Sequence, residues 1–322
     1  MKKILMGKIA DKILKLNLNM KSGEHLLIVT EPEKISIAET IAASAMRMEI
    51  EPVISIMMPR KTDGQEPPEI IARAMKASDA FLSVVGKSIT HTQAVKDAIA
   101  AGSRGLVLTQ FSEDMMIEGG MEADFQSLAP LCKDMAKALE DGDKIRLTTP
   151  LGTDLSFSAT GRRGNALYCM VEKGQFSTAP TIEANVSPIE GTARGKIVAD
   201  ASVPYIGIGL LEEPIYFDVE DGNIVSIKGG YQADMLREDL ASKKDPGVYN
   251  IAELGIELNP NCRFLGLMLE DEGVFGSVHI GIGTSINLGG TLKAASHYDL
   301  IMTKPTVVVD GRTILKDGEV VL

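Results

Sequence analysis

Residues 270–299 hold the densest set of groups in the chain that could do chemistry: Glu270, Asp271 and Glu272, then Val278-His279-Ile280, a glycine-rich turn, and His297-Tyr298-Asp299. Two of the four histidines in the protein fall within this stretch. Imidazole and carboxylate both present lone pairs at neutral pH without a redox-sensitive thiol, so together they form a ligand set for a divalent metal. His297 and Asp299 are two apart, and in an extended strand alternate side chains leave the same face, which aims both at one point. His279, in the preceding apolar run, can approach that point from a neighbouring strand. Two histidines and a carboxylate converging from adjacent strands describe a metal site with open positions. Taken singly, a strand histidine is an ordinary structural residue, and three consecutive acids are ordinarily a solvated turn. The combination is what points to metal.

Three more carboxylates join the candidates. Thr178-Ala179-Pro180-Thr181-Ile182-Glu183 and Ser187-Pro188-Ile189-Glu190-Gly191-Thr192 each set a glutamate in a loop flanked by proline or glycine, and Asn250-Ile251-Ala252-Glu253-Leu254-Gly255 sets one among apolar residues. Burying Glu253 there costs several kcal/mol unless it is paired or liganded. A metal would supply the partner, and so would an arginine such as Arg162 or Arg263.

The elements that must position these groups divide into two kinds. Up to residue 140, strands expected at 25–30, 53–58, 81–85 and 105–109 alternate with helical spacing at 34–48, from Pro67-Pro68-Glu69 to Met75, and at 92–101. Strands separated by helices of this size pair in parallel through crossovers. His91 reads as a capping residue at the start of the third of these helices. No glycine fingerprint follows the first strand, where Glu31-Pro32-Glu33 would repel a phosphate, which argues against nucleotide binding. A helix at 121–140 leads out of this part. Beyond Gly142 the period changes to two, with strands at 144–147, 154–158, 196–203 and 215–219, the last turning through Glu220-Asp221-Gly222-Asn223 into 224–227. Only 231–242 reads as helix. The expected fold class is therefore α/β: an N-terminal open, mostly parallel sheet with flanking helices (1–142), followed by a predominantly antiparallel β (α+β) domain (143–322) that carries the metal.

Composition narrows the partners. A chain of 322 residues with 44% hydrophobic residues can bury a substantial core. Its net charge of −11 argues against nucleic acid or an anionic membrane as partner. Cys132, Cys169 and Cys262 lie far apart without metal or redox spacing, and no stretch approaches the roughly 20 apolar residues of a membrane span. The start is basic but lacks the apolar run of a signal peptide, so a cytoplasmic protein acting on a small-molecule or short-peptide substrate is expected.

Gly152-Thr153-Asp154-Leu155, the Glu183 and Glu190 loops, Asn250-Ile251-Ala252-Glu253, Glu270-Asp271-Glu272, His279-Ile280-Gly281-Ile282-Gly283 and His297-Tyr298-Asp299, in this order, resemble the thermophilic-type metallo-aminopeptidases (the leucyl aminopeptidase T and S group) and their shorter relatives, which include the 2,5-dihydroxypyridine 5,6-dioxygenases. The aminopeptidase resemblance implies that Glu183, Glu253, His279, His297 and Asp299 hold a two-metal centre of zinc, cobalt or manganese. It also implies that Glu272 lies near the catalytic carboxylate, that Glu183 is a catalytic candidate as well as a ligand, and that the chain is a homo-oligomer. The reaction implied is removal of N-terminal residues from peptides by metal-activated water. Those enzymes carry a tyrosine ligand shortly after the His279 equivalent, where this chain reads Gly283-Thr284-Ser285-Ile286. The alternative follows from His279, His297 and Asp299 alone, a two-histidine, one-carboxylate triad that suits Fe(II) and ring-cleaving dioxygenase chemistry, with Glu183 or Glu253 as base or orienter. A third reading is a structural metal site without catalysis.

Overall fold

The computed structural model describes residues 1–90 and 92–322, so His91 and the capping role expected of it lie outside the described residues. Two compact units form, one from Met1–Phe125 with Leu167–Pro180, the other from Gln126–Ala166 with Thr181–Leu322.

The first unit is built from α1 (Lys2–Lys12), β1 (His25–Thr30), α2 (Ile35–Arg47), β2 (Glu51–Ile56), α3 (Glu69–Ala77), β3 (Ala80–Val85), α4 (Gln93–Ala100) and β4 (Arg104–Thr109). The Thr92 side chain caps α4 by accepting from the Val95 N–H. The strands pair in parallel in the order β2-β1-β3-β4, as the crossover pattern requires. Alternate residues of β1 go to opposite faces: Leu27 and Val29 join a core with Ile71 and Met75 of α3 and Val95 and Ala98 of α4. The second strand begins at Glu51 and includes Pro52, which the sheet tolerates because β2 lies at its edge. Glu31 is buried at the end of β1, where it accepts the Gly86 N–H at 2.9 Å.

The second unit takes up the chain at α5 (Phe125–Glu140) and continues with β5 (Lys144–Thr148), β6 (Asp154–Ser158) and β7 (Gly164–Leu167). The chain then returns to the first unit as β8 (Phe176–Thr178), which adds to the parallel sheet beside β4. The remainder is β9 (Glu183–Val186), β10 (Arg194–Ala199), β11 (Ser202–Val203), β12 (Gly209–Leu210), β13 (Ile215–Glu220), β14 (Asn223–Lys228), α6 (Tyr231–Ser242), β15 (Ile251–Glu257), α7 (Met268–Asp271), β16 (Val278–Gly283), β17 (His297–Met302), β18 (Thr306–Val309), β19 (Arg312–Lys316) and β20 (Glu319–Val320). An eight-stranded sheet runs β14-β13-β10-β6-β5-β18-β19-β20, and a seven-stranded one runs β12-β11-β17-β16-β15-β9-β7. Their register pairs are antiparallel, and the hairpin through Asp221-Gly222 joins β13 to β14. The single strand expected at 196–203 is two strands in different sheets. The chain bends at Asp200, whose carboxylate accepts the Thr303 N–H at 2.8 Å and the Thr303 hydroxyl at 2.6 Å.

The seven-stranded sheet is apolar on one face, through Leu254 and Ile256 of β15, Val278, Ile280 and Ile282 of β16, and Leu300 and Met302 of β17, all buried. Its other face is also buried and carries charge. Among the described residues, no helix is long and apolar enough to cross a membrane.

Candidate metal centre

Register decides which side chains meet. Across the seven-stranded sheet, Glu183 of β9 lies opposite Glu257 of β15, Gly255 opposite His279 of β16, Glu253 opposite Gly281, Gly281 opposite Asp299 of β17, and Gly283 opposite His297. Cross-strand partners share a face and so do alternate residues, so Glu183, Glu253, Glu257, His279, His297 and Asp299 all project on one side. Glycines alternate with the functional residues along these strands, and a Cβ at Gly255 would lie 2.1 Å from Cε1 of the His279 ring.

Four atoms converge. Nε2 of His297 stands 3.0 Å from Glu253 Oε2 and 3.2 Å from Asp299 Oδ1, while Nε2 of His279 stands 3.5 Å from Asp299 Oδ1 and 3.7 Å from Glu253 Oε2. Donor atoms held about 2.1 Å from a shared ion are about 3.0 Å apart at right angles and about 3.4 Å apart at tetrahedral angles. The edges to His297 Nε2, 3.0 and 3.2 Å, fall in that range, and those to His279 Nε2, 3.5 and 3.7 Å, lie just beyond it. Asp299 Oδ1 is buried and faces the two Nε2 atoms, so once those nitrogens present lone pairs it needs a cation to complete it. The residues present therefore fit a divalent metal.

Both rings are held in the tautomer a metal needs. His297 Nδ1 lies 2.9 Å from the Thr284 carbonyl, which can only accept, so the proton sits on Nδ1 and the Nε2 lone pair faces the centre. His279 Nδ1 lies 2.6 Å from Glu257 Oε1, and an ionised Glu257 imposes the same arrangement. Without a cation the cluster holds protons. Burial disfavours charge on both imidazoles, but Asp299 and the neighbouring glutamates outweigh it and raise both histidines well above their ordinary value. Burial also pushes the carboxyls up. At Glu253 the two imidazoles override it and hold the group at about 2, and they depress Asp299 as well. Glu257 ends near 7. Glu183 and Glu272 are driven well above the usual carboxylate range, first by burial and then by the carboxylates around them.

The expected residues thus come together, with changes of detail. Glu183 is not in a loop. It opens β9, accepts from Asn185 Nδ2 at 2.5 Å, and forms with Glu257 and His279 a second group of donor atoms within 4.8 Å of one another. The partners of Glu253 are the two histidines, and Arg162 pairs instead with Glu190. Glu270, Asp271 and Glu272 do not make a solvated turn. All three are buried in and just after α7, with Asp271 Oδ1 accepting the Leu265 and Gly266 N–H groups. Glu272 Oε1 lies 2.9 Å from the Tyr205 hydroxyl, which also lies against Asp299 Oδ2.

A family model described as NicX, 2,5-dihydroxypyridine 5,6-dioxygenase, matches residues 8–322. The chain belongs to the NicX family. Within it, a 162-residue stretch is 26% identical to the 2,5-dihydroxypyridine 5,6-dioxygenase of Pseudomonas putida strain KT2440, covering 47% of this chain and 46% of that relative. That match spans about half the relative's length. The solved structure of 2,5-dihydroxypyridine dioxygenase from the same strain superposes with a TM-score of 0.83 over 99% of this chain and 97% of the other, at 17% identity. Wild-type AmpT from Thermus thermophilus superposes at 0.74 over all of both chains, at 16% identity. Both likenesses are of fold. Of the two groups the sequence resembles, the NicX match favours the dioxygenases over the aminopeptidases.

Glu257 and Tyr205 of this NicX-family centre lie outside the motifs that the sequence offers. Glu257 carried a signal, since it stands four residues after Glu253 in a strand and so shares its face. Gly255 and Gly281 alternate with the candidate ligands in the same way. Tyr205 carried none, because it enters from the turn between β11 and β12.

Proposed function

We propose that this NicX-family chain is a metal-dependent dioxygenase that opens a dihydroxypyridine-like ring, with His279, His297, Asp299 and Glu253 as the groups that hold one Fe(II). The observation that carries this reading is the family match over residues 8–322. The convergence of the four donor atoms supports it. When bound, Fe(II) supplies the redox chemistry by which dioxygen attacks an electron-rich hydroxylated ring, with both oxygen atoms retained in the product and no external reductant consumed. The protein's own groups do the rest. Glu257 and the Thr284 carbonyl fix the two rings, and Glu253 and Asp299 balance the charge of a divalent ion. Glu183 and Glu272 are the buried carboxyls able to exchange a proton with a ring hydroxyl, since their environment favours the neutral form.

A specific observation favours a second reading, a two-metal aminopeptidase. Glu183, Glu257 and His279 gather donor atoms beside the first set, as a pair of zinc, cobalt or manganese ions would require, with Glu272 moving the proton to a leaving amine. Against it, His279 Nδ1 is already engaged by Glu257, and no tyrosine follows His279 before Tyr298. A homo-oligomer is part of either reading.

The deciding experiment is anaerobic loading with Fe(II), elemental analysis, and oxygen uptake with 2,5-dihydroxypyridine, run beside amine release from aminoacyl amides with zinc, cobalt or manganese. Roughly one iron per chain with ring-dependent oxygen uptake is expected. About two equivalents of the other metals with amide hydrolysis would replace this reading by the second. Metal-dependent stability with neither turnover would leave a structural site.

A further inference from the structure

We infer that Tyr205 is a positioning residue for Asp299: its hydroxyl occupies Oδ2, so that Oδ1 is the only oxygen of that carboxylate open to a cation. The inference rests on reading the centre as a metal site. Tyr205 is buried in the turn between β11 and β12; its one hydroxyl proton goes to the charged Asp299 Oδ2, while Glu272 Oε1 lies 2.9 Å from the same hydroxyl. Asp299 Oδ1 is buried and faces both imidazole Nε2 atoms, at 3.2 and 3.5 Å. The two oxygens of one carboxylate are thus in different circumstances, one occupied by a phenol and one facing the imidazole nitrogens of the centre. A carboxylate can bind a metal through one oxygen or both. The phenol settles the choice in favour of one. Its ring cannot swing away easily, because it packs on the Tyr298 ring with centroids 4.8 Å apart. Nothing in the spacing of the motif residues pointed to this contact.

Tyr205→Phe removes the hydroxyl and keeps the stacked ring. Wild type, Tyr205→Phe and Tyr298→Phe would be titrated with Co(II) without oxygen, reading affinity and the visible d–d spectrum, with metal-free thermal unfolding to compare folding. Tyr205→Phe is expected to weaken Co(II) binding by roughly 10–100-fold and to change the spectrum, since Asp299 can then offer both oxygens. Tyr298→Phe, whose hydroxyl serves Asp239, is expected to keep the wild-type affinity and spectrum. A measurement that needs no variant reads the same point: infrared difference spectra of wild type with 13C-labelled aspartate on Co(II) addition should show the wide carboxylate splitting of one-oxygen binding. Wild-type affinity and spectrum in Tyr205→Phe, or a narrow two-oxygen splitting in wild type, overturns the inference and leaves the metal reading standing. Failure of the wild type to bind Co(II) overturns both.

Discussion

At the scale of single residues, the centre depends on what is absent beside each histidine as much as on the donors. A Cβ at Gly255 would meet His279 Cε1 at 2.1 Å, and one at Gly281 would meet His297 Cε1 at 2.7 Å and Glu253 Cβ at 2.8 Å. Neither glycine has a left-handed backbone, so each provides space rather than conformational freedom. A methyl group at Gly255 must displace the ring in a buried sheet. Gly255→Ala is therefore expected to destabilise the protein by about 1–3 kcal/mol and to abolish tight metal binding, measured by denaturant unfolding and by metal content. Normal metal content would mean that the ring is not confined as described. Glu257 acts on the same ring from the other side, through a 2.6 Å contact to Nδ1. Glu257→Gln keeps the shape but weakens the hold on the tautomer, so metal affinity should fall roughly 10–100-fold with the fold intact. Competition titration with a chelating dye reads the difference, and circular dichroism checks the fold.

The elements show how far these residues could be read from sequence. Period two in residues 297–299 and the apolar run around His279 gave the two adjacent strands, because the rule linking alternation to a sheet face is local. The same rule reaches Glu257 from Glu253, although Glu257 lies outside the motif that carries Glu253. What no local rule gives is register between strands, which sets His279 across from Gly255 and brings Tyr205 to Asp299. Nor does alternation reveal that the strand expected at 196–203 breaks at Asp200 and changes sheets. The loop between β16 and β17, which supplies the Thr284 carbonyl, is held by a carboxylate from elsewhere. Glu190 Oε1 accepts from Ser285 Oγ at 3.0 Å and from the Thr291 N–H at 2.7 Å, and Arg162 pairs with its other oxygen. Burial pushes the Glu190 carboxyl up, but these donors override it and hold the group at about 2, against an ordinary value of 4.5. A depressed value means that the ionised form stabilises the fold. That contribution is complete above about pH 4.5 and is lost as pH falls toward 2. Urea unfolding should therefore show Glu190→Gln less stable than wild type at pH 7, with the gap narrowing at pH 3. A constant gap would mean that ionised Glu190 does not hold the loop.

For the whole molecule, the question is how far the stabilisation from a bound ion extends. The candidate donors all come from the second unit, and nearly all from four neighbouring strands of one sheet. An ion that binds only the folded site lowers the population of any opening that breaks it, by a factor near 100 when its concentration is about 100 times Kd, equivalent to about 2.7 kcal/mol. Openings that leave the site intact are unaffected, and proteins open in such local pieces as well as globally. In hydrogen exchange with and without Co(II), amides of β9, β15, β16 and β17 should therefore slow by up to about 100-fold. The parallel strands β1, β3 and β4, which belong to the other unit, should slow much less. The chain complicates this, because it leaves the first unit at residue 126, returns at Leu167 and leaves again at Thr181. If that exchange of segments makes the units unfold together, the slowest amides of β1, β3 and β4 will gain the same protection as those of β15 and β16. Equal protection would show a single cooperative unit. Protection confined to the seven-stranded sheet would show that the metal stabilises its own sheet, and no change in either sheet would remove the site from the folded protein.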